Sequence, residues 1–440
     1  MKLQNWINGE AVDAISGNTI DNINPKDGTT IGTIPASDGR DVESCVSAAS
    51  AAWRAWAKVT TEKKSAVLER IAQGIEARFD EFVEAEALDT GKPPSLTRIV
   101  DIPRAIDNFR FFAAAIRTHS TGSHAMSDAI NYTMHKPVGI AGLITPWNLP
   151  LYLLTWKVAP ALAMGNAMVC KPSELTPTTA SLLGEVMRDA GLPNGLYNVV
   201  HGLGPDVGAP IVTHPAIKAI SFTGGTATGR IVSASAAPLF KKVSLELGGK
   251  NATIIFEDAD IARAAKGAAR AGFLNQGQIC LCGSRLLVHN NIRASFTEAF
   301  LKEAKAMQAG MGSLISSAHR DKVAGMVQAA LADGGTLLCG GKSFGDPNGA
   351  FYEPTVIDGL KHSCHTAQTE IFGPVVTIHG FDSDEEAVRL ANDTEYGLSG
   401  SVWTADISRG HRVAQQLDTG MVWVNTWLKR DLRVPFGGMK

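Results

Sequence analysis

The segment "AIKAISFTGGTATG", residues 216–229, gives the clearest indication of the fold. A short apolar run leads directly to Gly224 and Gly225 and then to small residues as far as Gly229. A strand that continues through glycines into a helix directs backbone N–H groups towards a bound diphosphate. A plain turn would use the same glycines, so this segment alone predicts a strand-to-helix connection and leaves the ligand open.

Similar short apolar runs lie on both sides of this segment. The runs "GIAGLITP", "NAMVCKP" and "LYNVVHG" precede it and "NATIIFED" follows it, with segments of helical periodicity between them. Buried strands that alternate with helices indicate βαβ units and a parallel sheet. A second alternation has predicted helices near residues 260–274 and 294–308 and predicted strands at "SRLLVH" and "PVVTIHGF". The sequence therefore predicts an α/β fold with two Rossmann-like, open parallel-sheet domains that join near residues 245–251.

The first third of the chain is predicted to be largely helical. One helix begins near residue 40, and a long amphipathic helix runs from Ser65 to a glycine at position 91. The later stretch "SHAMSDAINYTMHKP" alternates apolar and polar residues without helical periodicity, so we expect an extended arm there.

The composition excludes several classes of partner. The chain of 440 residues is 45% hydrophobic and has a net charge of −2, with no long run of either sign. We therefore expect neither nucleic acid nor a membrane as partner, and a small molecule instead. The N-terminus lacks an apolar signal core and no stretch is long and apolar enough to span a bilayer, which predicts a cytoplasmic protein.

The six cysteines are few and irregularly spaced, which favours free thiols over a disulfide framework. The stretch "QGQICLC", residues 276–282, places Cys280 and Cys282 one residue apart. Neither this spacing nor "HSCH" at 362–365 fits a tetrahedral metal site, so no metal is expected. From the residues alone, Cys280 is either a buried packing residue or a nucleophile on a loop.

The stretch "VCKPSE" places Lys171 and Glu174 at the end of a predicted strand, where open α/β sheets bind ligands. A solvated charge pair would look the same in sequence. At a nucleotide site, however, the Glu174 carboxylate would accept hydrogen bonds from ribose hydroxyls and repel a 2′-phosphate, which favours NAD over NADP.

Seven motifs together resemble the aldehyde dehydrogenase superfamily. In chain order they are "PWNLP" (146–150), "KPSE" (171–174), "FTGGTATG" (222–229), "LELGGK" (245–250), "NQGQICLCGSR" (275–285), "EIFGPV" (370–375) and "PFGGMK" (435–440). The resemblance implies that Cys280 is the nucleophile, that Glu246 is the base that activates water, and that the Asn148 amide holds an oxyanion.

The same resemblance implies an NAD site. Lys171 and Glu174 would bind the adenosine ribose, and Glu370 and Phe372 would hold the nicotinamide ribose. The dinucleotide would be lined by Trp147, Gly224, Gly225 and Gly229. Relatives more often have serine at the position of Gly225, so a backbone amide would replace that contact here.

Within the superfamily, "QICLCGSR", "DIPRAIDNFRFFAA" and "NTWLKRDLRVPFGG" look most similar to the 2-aminomuconate and 2-hydroxymuconate 6-semialdehyde dehydrogenases. Arginines occupy regions that form the substrate tunnel in the family, and guanidinium groups bind carboxylates bidentately. We therefore expect an anionic semialdehyde. Some of the arginines would instead form surface ion pairs. The residues expected at the substrate are Arg98, Arg104, Arg430, Arg433, Leu149 and Trp156.

Two other functions stay open at this point. One is a general aldehyde dehydrogenase, or one for a cationic substrate such as betaine aldehyde, although the arginines argue against a cation. The other is a non-catalytic binding or structural protein with the same fold, against which the joint presence of Cys280, Glu246 and Asn148 argues.

The resemblance also divides the chain into domains. Residues 1–119 and 137–247 are predicted to form the NAD-binding domain, residues 120–136 an oligomerisation arm, and residues 248–440 the catalytic domain. The family's further C-terminal segment is not expected after Lys440, and residues 306–316 are shorter than the family pattern. A homodimer or homotetramer is expected.

Overall fold

The structure is a computed structural model that describes residues 1–440. Its strands are β1 (Asn5–Ile7), β2 (Glu10–Val12), β3 (Thr19–Ile23), β4 (Thr30–Pro35), β5 (Ser123–Ala125), β6 (Ile130–Tyr132), β7 (Ile140–Ile144), β8 (Ala167–Lys171), β9 (Tyr197–Val199), β10 (Ile217–Thr223), β11 (Lys242–Glu246), β12 (Ala252–Ile255), β13 (Arg285–His289), β14 (Thr336–Cys339), β15 (Thr355–Asp358), β16 (Val375–Phe381), β17 (Ser399–Trp403) and β18 (Met421–Val424).

The α-helices are α1 (Gly39–Ala57), α2 (Thr61–Ala77), α3 (Phe79–Thr90), α4 (Pro94–Leu96), α5 (Ile102–Thr118), α6 (Pro150–Ala163), α7 (Thr178–Asp189), α8 (Ala209–Thr213), α9 (Thr226–Ala236), α10 (Ile261–Phe273), α11 (Arg293–Met307), α12 (Ser317–Ala332), α13 (His365–Gln368), α14 (Asp384–Asn392) and α15 (Ile407–Gln416). None of them is both long enough and apolar enough to cross a membrane.

Two seven-stranded sheets organise the chain. The first has the order β11-β10-β7-β8-β9-β1-β2 and the second the order β14-β15-β16-β13-β12-β17-β18. In the first, β7, β8, β9 and β10 pair in parallel, while β1 runs antiparallel to its neighbours. In the second, only β14 is antiparallel to its neighbour. The predicted α/β fold with two mostly parallel sheets is confirmed.

Contacts divide the chain into two compact units. The first comprises Met1–Asn24, Thr30–Thr90 and Pro94–Leu245, and the second comprises Pro25–Thr29, Gly91–Pro93 and Glu246–Lys440. The principal change of unit, between Leu245 and Glu246, lies two residues before the predicted junction at 247/248. The cofactor and catalytic roles assigned to the two parts stay predictions.

The N-terminal third differs from its prediction in two ways. The single long helix expected from Ser65 is divided into α2 and α3, because Arg78 has φ −106° and ψ 25° and closes α2. Strands β1 to β4, which were not predicted, precede α1. Helix α1 begins at a capping box. The Asp38 carboxylate accepts a backbone N–H of the first turn, and the Asp41 carboxylate accepts the Asp38 backbone N–H.

The predicted arm contains an antiparallel hairpin. Strands β5 and β6 pair with Ser123 opposite Tyr132 and Ala125 opposite Ile130. Every residue of the two strands is exposed, and Ile130 and Tyr132 are 69% and 67% exposed. Large apolar side chains of this kind, presented on an isolated hairpin, are typical of a surface that another chain covers.

Candidate active site

Cys280 lies in an irregular segment between α10 and β13. The preceding turn is sharp, because Asn275 and Gln276 both have left-handed backbone conformations, with φ 53° and 56°. Gly277 follows with φ 71°, and a Cβ there would lie 2.1 Å from the Gly373 carbonyl oxygen. Only glycine therefore allows this turn to approach the segment that contains Phe372. Cys280 is half-buried and Cys282 is buried, and both are free thiols.

The electrostatic surroundings of Cys280 disfavour its thiolate. Burial raises the pKa of the Cys280 thiol, and the charges of Glu370, Cys282 and Glu246 raise it further. At neutral pH the group is therefore a thiol, which is a weak nucleophile. A base that removes the proton when the substrate is bound would remedy this. Glu246, the last residue of β11, is half-buried and is one of the two carboxylates that act on Cys280.

Glu370 is held against the glycines of "LELGGK". Its Oε1 accepts the Gly249 N–H at 2.9 Å, and burial raises the pKa of its carboxyl group. A Cβ at Gly248 would lie 2.3 Å from Glu370 Oε2, which leaves no room for a side chain. Phe372 has a left-handed φ of 60°, and its carbonyl oxygen lies 2.7 Å from His319 Nε2. Within the second unit, Cys280, Glu246 and Glu370 thus belong to one electrostatic cluster.

The Asn148 segment connects β7 to α6 in the first unit. Asn148 and Leu149 are buried and Trp147 is half-buried. The buried carboxylate of Glu86 lies at the N-terminus of α6, where it accepts the Leu151 N–H at 3.2 Å and the Thr179 hydroxyl at 2.9 Å. A carboxylate at this end of a helix stabilises the free N–H groups and the helix dipole. Glu86 therefore stabilises the start of α6, which begins two residues after Asn148.

Two features of the first unit suit a dinucleotide. Lys171 ends β8, and its Nζ donates to Glu174 Oε2 at 2.9 Å and to the Pro172 carbonyl at 3.0 Å. Strand β10 leads through Gly224 and Gly225 into α9, with Gly225 as the N-cap residue and no side chain capping the helix. A Cβ at Gly225 would meet nothing within 4 Å, and Gly229 is buried in the first turn of the helix.

Thr226, the first residue of α9, supplies an independent indication of a ligand. Its hydroxyl oxygen is buried and has no hydrogen-bond partner in the protein. A buried hydroxyl without a partner is costly, and a phosphate oxygen at the helix N-terminus would satisfy it. The residues at this end of α9 therefore fit the diphosphate of a dinucleotide. The sequence prediction included Gly224, Gly225 and Gly229 but missed Thr226, although it lies in the same motif.

The four predicted substrate arginines fall into two pairs. Arg98 and Arg433 form ion pairs with Asp80 at 2.6 Å and Asp431 at 2.7 Å, and their side chains are 47% and 80% exposed. Each thus already has a carboxylate neighbour on the surface, which weighs against a substrate role.

Arg104 and Arg430 stack on aromatic rings, and so does Arg98, which lies 5.4 Å from the Phe79 ring centre. Arg104 lies 5.6 Å from the Tyr152 ring centre, and Arg430 lies 4.5 Å from that of Phe436. Both residues are half-buried, and the Nε and Nη2 atoms of Arg430 are buried. Arg104 lies on α5 and Tyr152 on α6. The same two helices also bring the ring centres of Phe112 and Trp156 to within 5.8 Å of each other. Burial therefore ranks Arg104 and Arg430 above the other two as candidates for a substrate role, which stays a prediction.

Comparison with known proteins agrees with this architecture. Residues 12–440 match the aldehyde dehydrogenase family, so the chain belongs to that family and is an enzyme of that class. It is 46% identical over 458 aligned positions to the 2-hydroxymuconic semialdehyde dehydrogenase of Pseudomonas sp. strain CF600, with 100% of this chain and 94% of that protein covered.

It is 44% identical to the 2-aminomuconic semialdehyde dehydrogenase of Danio rerio, over 100% of this chain and 93% of that protein. Among solved structures, the NAD⁺ complex of an aldehyde dehydrogenase from Bacillus cereus has a TM-score of 0.97 at 36% identity, covering 100% of this chain and 92% of that one. The family resemblance drawn from the seven motifs is thereby confirmed.

Proposed function

We propose that this enzyme uses NAD to oxidise an anionic semialdehyde of the 2-hydroxymuconic or 2-aminomuconic type to the carboxylic acid. The observation that carries the proposal is the half-buried Cys280 thiol, whose ionisation is coupled to Glu246 and Glu370. A protonated thiol beside carboxylates suits a nucleophile that is deprotonated only when it attacks. Packing alone would not require two acidic groups close enough to disfavour the charge of a half-buried sulfur.

The chemistry assigned to the chain's own residues has two stages. In the first, Glu246 takes the Cys280 proton, the sulfur bonds to the aldehyde carbon, and the carbonyl electrons move to oxygen. The Asn148 amide and the Cys280 N–H stabilise that oxyanion. Loss of hydride leaves a thioester on Cys280, and bound NAD supplies the hydride acceptor. Glu246 then passes its proton to solvent. In the second stage it takes a proton from water, the resulting hydroxide bonds to the thioester carbon, and the C–S bond breaks. The Cys280 sulfur leaves as a thiolate and is reprotonated, and the acid is released.

The cofactor assignment rests on separate groups in each unit. In the first, Lys171 and Glu174 would hold the adenosine ribose, while Gly224, Gly225 and Thr226 would receive the diphosphate. The Thr226 hydroxyl, buried without a protein partner, supports this arrangement. In the second, Glu370 and Phe372 would hold the nicotinamide ribose. The Glu174 carboxylate, which would repel a 2′-phosphate, favours NAD over NADP.

The substrate class rests on the relatives' names and on two arginines. Arg104 and Arg430 present half-buried guanidinium groups stacked on rings, an arrangement that pre-organises them for bidentate binding of a carboxylate. Trp156 and Leu149 would provide apolar contacts. We also propose that the β5–β6 hairpin joins copies of the chain into a homo-oligomer, since its apolar side chains are exposed.

The test compares two neighbouring cysteines. In an assay that follows NADH absorbance, Cys280→Ser should abolish oxidation of 2-hydroxymuconic semialdehyde while NAD binding persists, because a hydroxyl is a far poorer nucleophile than a thiolate. Cys282→Ser should keep most of the activity and serves as the matched control. Equal losses in the two variants would refute the assignment of Cys280. A panel of aldehydes with and without a carboxylate then tests the substrate class.

A further inference from the structure

The segment Cys280–Cys282 has an unusual set of hydrogen bonds. The carbonyl oxygens of all three residues accept hydrogen bonds from side chains that lie outside the segment. Asn251 Nδ2 donates to Cys280 O at 2.7 Å and to Cys282 O at 2.9 Å, and Trp427 Nε1 donates to Leu281 O at 2.9 Å. Asn251 and Trp427 are each 4% exposed. Each backbone carbonyl of this short loop is therefore held from inside the protein.

These bonds fix the backbone on both sides of the nucleophile. A peptide unit is planar, so a hydrogen bond to its carbonyl oxygen orients the whole plane, including the next N–H. The plane before Cys280 is held because Ile279 O accepts the Cys282 N–H at 2.9 Å. The plane after Cys280 is held by Asn251. With both planes fixed, the direction of the Cα–Cβ bond of Cys280 is fixed, and only rotation about that bond moves the sulfur.

The Asn251 amide is fully used in this arrangement. An asparagine amide offers two N–H donors, and both are directed to the Cys280 loop. Its Oδ1 accepts the Ser399 N–H at 3.0 Å, at the start of β17. Asn251 also stands directly before β12, and its own carbonyl accepts the Arg285 N–H. The nucleophile loop is thus attached to the ends of β12, β13 and β17, three interior strands of the second sheet, and groups held by strands are positioned more precisely than groups held by loops.

Trp427 attaches the same loop to a different segment. It belongs to residues 425–433, which also contain Arg430, and its ring packs against Arg270 at 5.7 Å. We propose that Asn251 and Trp427 are positioning residues for Cys280, and that Trp427 couples the substrate-binding segment to the nucleophile. The proposal rests on the proposed role of Cys280 as the nucleophile. Neither residue contacts the reacting atoms through these bonds, so each acts through the loop it holds.

The experiment uses variants that remove only the donors. Asn251→Asp retains the size and the acceptor for Ser399 but replaces the two N–H donors with an oxygen that faces carbonyls. Trp427→Phe retains an aromatic ring and removes the indole N–H. The matched control is Trp423→Phe, because the Trp423 N–H donates at 2.8 Å to the Lys429 carbonyl in the same segment and not to the Cys280 loop.

The readout is the rate of the NADH burst in stopped flow, with saturating NAD and 2-hydroxymuconic semialdehyde. Because a displacement of about 1 Å at a reacting group can cost about 10²-fold in rate, we expect roughly 10²-fold slower bursts for Asn251→Asp. For Trp427→Phe, which removes a single donor, we expect roughly 10-fold slower bursts. The KM values for NAD and aldehyde should change less than about threefold, since positioning affects the chemical step.

Three results would overturn the inference. These are burst rates close to the parent in both variants, losses that appear only in KM, or an equal slowing in Trp423→Phe. If Asn251→Asp does not fold, Trp427→Phe with its control decides the question. Cys280→Ser separates the two hypotheses. If that variant stays active, the nucleophile assignment fails. If it is inactive while Asn251→Asp and Trp427→Phe react normally, only the positioning role fails.

Discussion

Arg430 provides the sharpest test of substrate charge. Its guanidinium group is half-buried and stacked 4.5 Å from the centre of the Phe436 ring, whereas Arg433, three residues further along, is 80% exposed and paired with Asp431. The change to make is Arg430→Met, because methionine retains an unbranched apolar side chain that can still cover Phe436. The variant therefore removes the charge and the hydrogen-bond donors with the least possible loss of packing.

The expected magnitude follows from the kind of contact that is removed. A hydrogen bond to a charged group is worth about 1.5–3 kcal/mol, and each 1.4 kcal/mol corresponds to a factor of about ten. The kcat/KM for 2-hydroxymuconic semialdehyde should therefore fall about 10- to 150-fold. The kcat/KM for propanal, which has no carboxylate, should change little. Arg430→Lys should lie between the parent and Arg430→Met, because lysine keeps the charge but cannot form a bidentate pair.

Arg433→Met is the control from the same segment. An exposed ion pair contributes about 0–1 kcal/mol, so this variant should discriminate between the two aldehydes as the parent does. The assay is the initial rate of NADH formation over a range of each aldehyde. If Arg430→Met lowers kcat/KM equally for the charged and the neutral aldehyde, Arg430 does not recognise a carboxylate. If Arg433→Met, rather than Arg430→Met, shows the larger loss of kcat/KM for the charged aldehyde relative to the neutral one, the use of burial to rank the arginines is wrong.

Three further predictions concern the base, the cofactor and acid stability. Glu246→Gln should give a slower burst of NADH without steady turnover, since the Cys280 proton must then pass to solvent and a neutral amide cannot activate water for deacylation; unchanged turnover would remove Glu246 from the mechanism. Glu174→Gln should raise the ratio of kcat/KM for NADP to that for NAD about tenfold, equivalent to about 1.4 kcal/mol, because repulsion is lost and the buried Lys171 can face a 2′-phosphate; an unchanged ratio would contradict it. Burial lowers the pKa of His379 and of His201 from 6.5 to about 3, so the folded state favours their neutral forms. The stability they confer is complete above pH 6.5 and is lost as pH falls towards 3, at most about 5 kcal/mol each, and equal urea midpoints at pH 7 and pH 4 would refute this.

The sequence predicted the regular parts of the fold well where each segment had a strong local pattern. The helices expected near 260–274 and 294–308 are α10 and α11, and both agree to within a residue or so. Helix α10 has alanines at 264, 265, 268 and 269 on its buried face, a spacing that only a helix produces. The break at Arg78 has no such signal, since neither proline nor glycine is present and only its backbone angles end α2.

The short N-terminal strands were missed for a physical reason. Strands β1 and β2 have three residues each, and most of β2 and β3 is exposed, so they lack the apolar alternation that identifies a strand. Strand β1 is formed because it pairs with β9, which lies about 190 positions further along the chain. Pairing over such a distance is determined by the tertiary fold and leaves little trace in the local sequence.

The predicted site shows the same division between local and distant causes. Residue types suggested which groups carry the chemistry, but all four arginines looked alike in sequence. Their environments separate them: Arg98 and Arg433 are exposed and paired with carboxylates, whereas Arg104 and Arg430 are half-buried against aromatic rings. Asn251 and Trp427 gave no signal, because their hydrogen bonds reach a loop that lies far from each of them along the chain.

The segment Glu246–Asn251 shows why short motifs can carry so much of a site. A Cβ at Gly248 would collide with the Glu370 carboxylate at 2.3 Å, and a Cβ at Gly249 would collide with the Cys280 carbonyl at 2.5 Å. The two glycines therefore let one backbone segment lie against both Glu370, a predicted cofactor ligand, and the Cys280 loop. Asn251, at the end of the same segment, donates a hydrogen bond to that loop. Because Glu246 begins the same segment, any shift of this backbone moves the base, the carboxylate at Glu370 and the thiol together. A substitution at either glycine should consequently impair both stages of the reaction, whereas a change at Glu246 alone should impair the second stage more than the first.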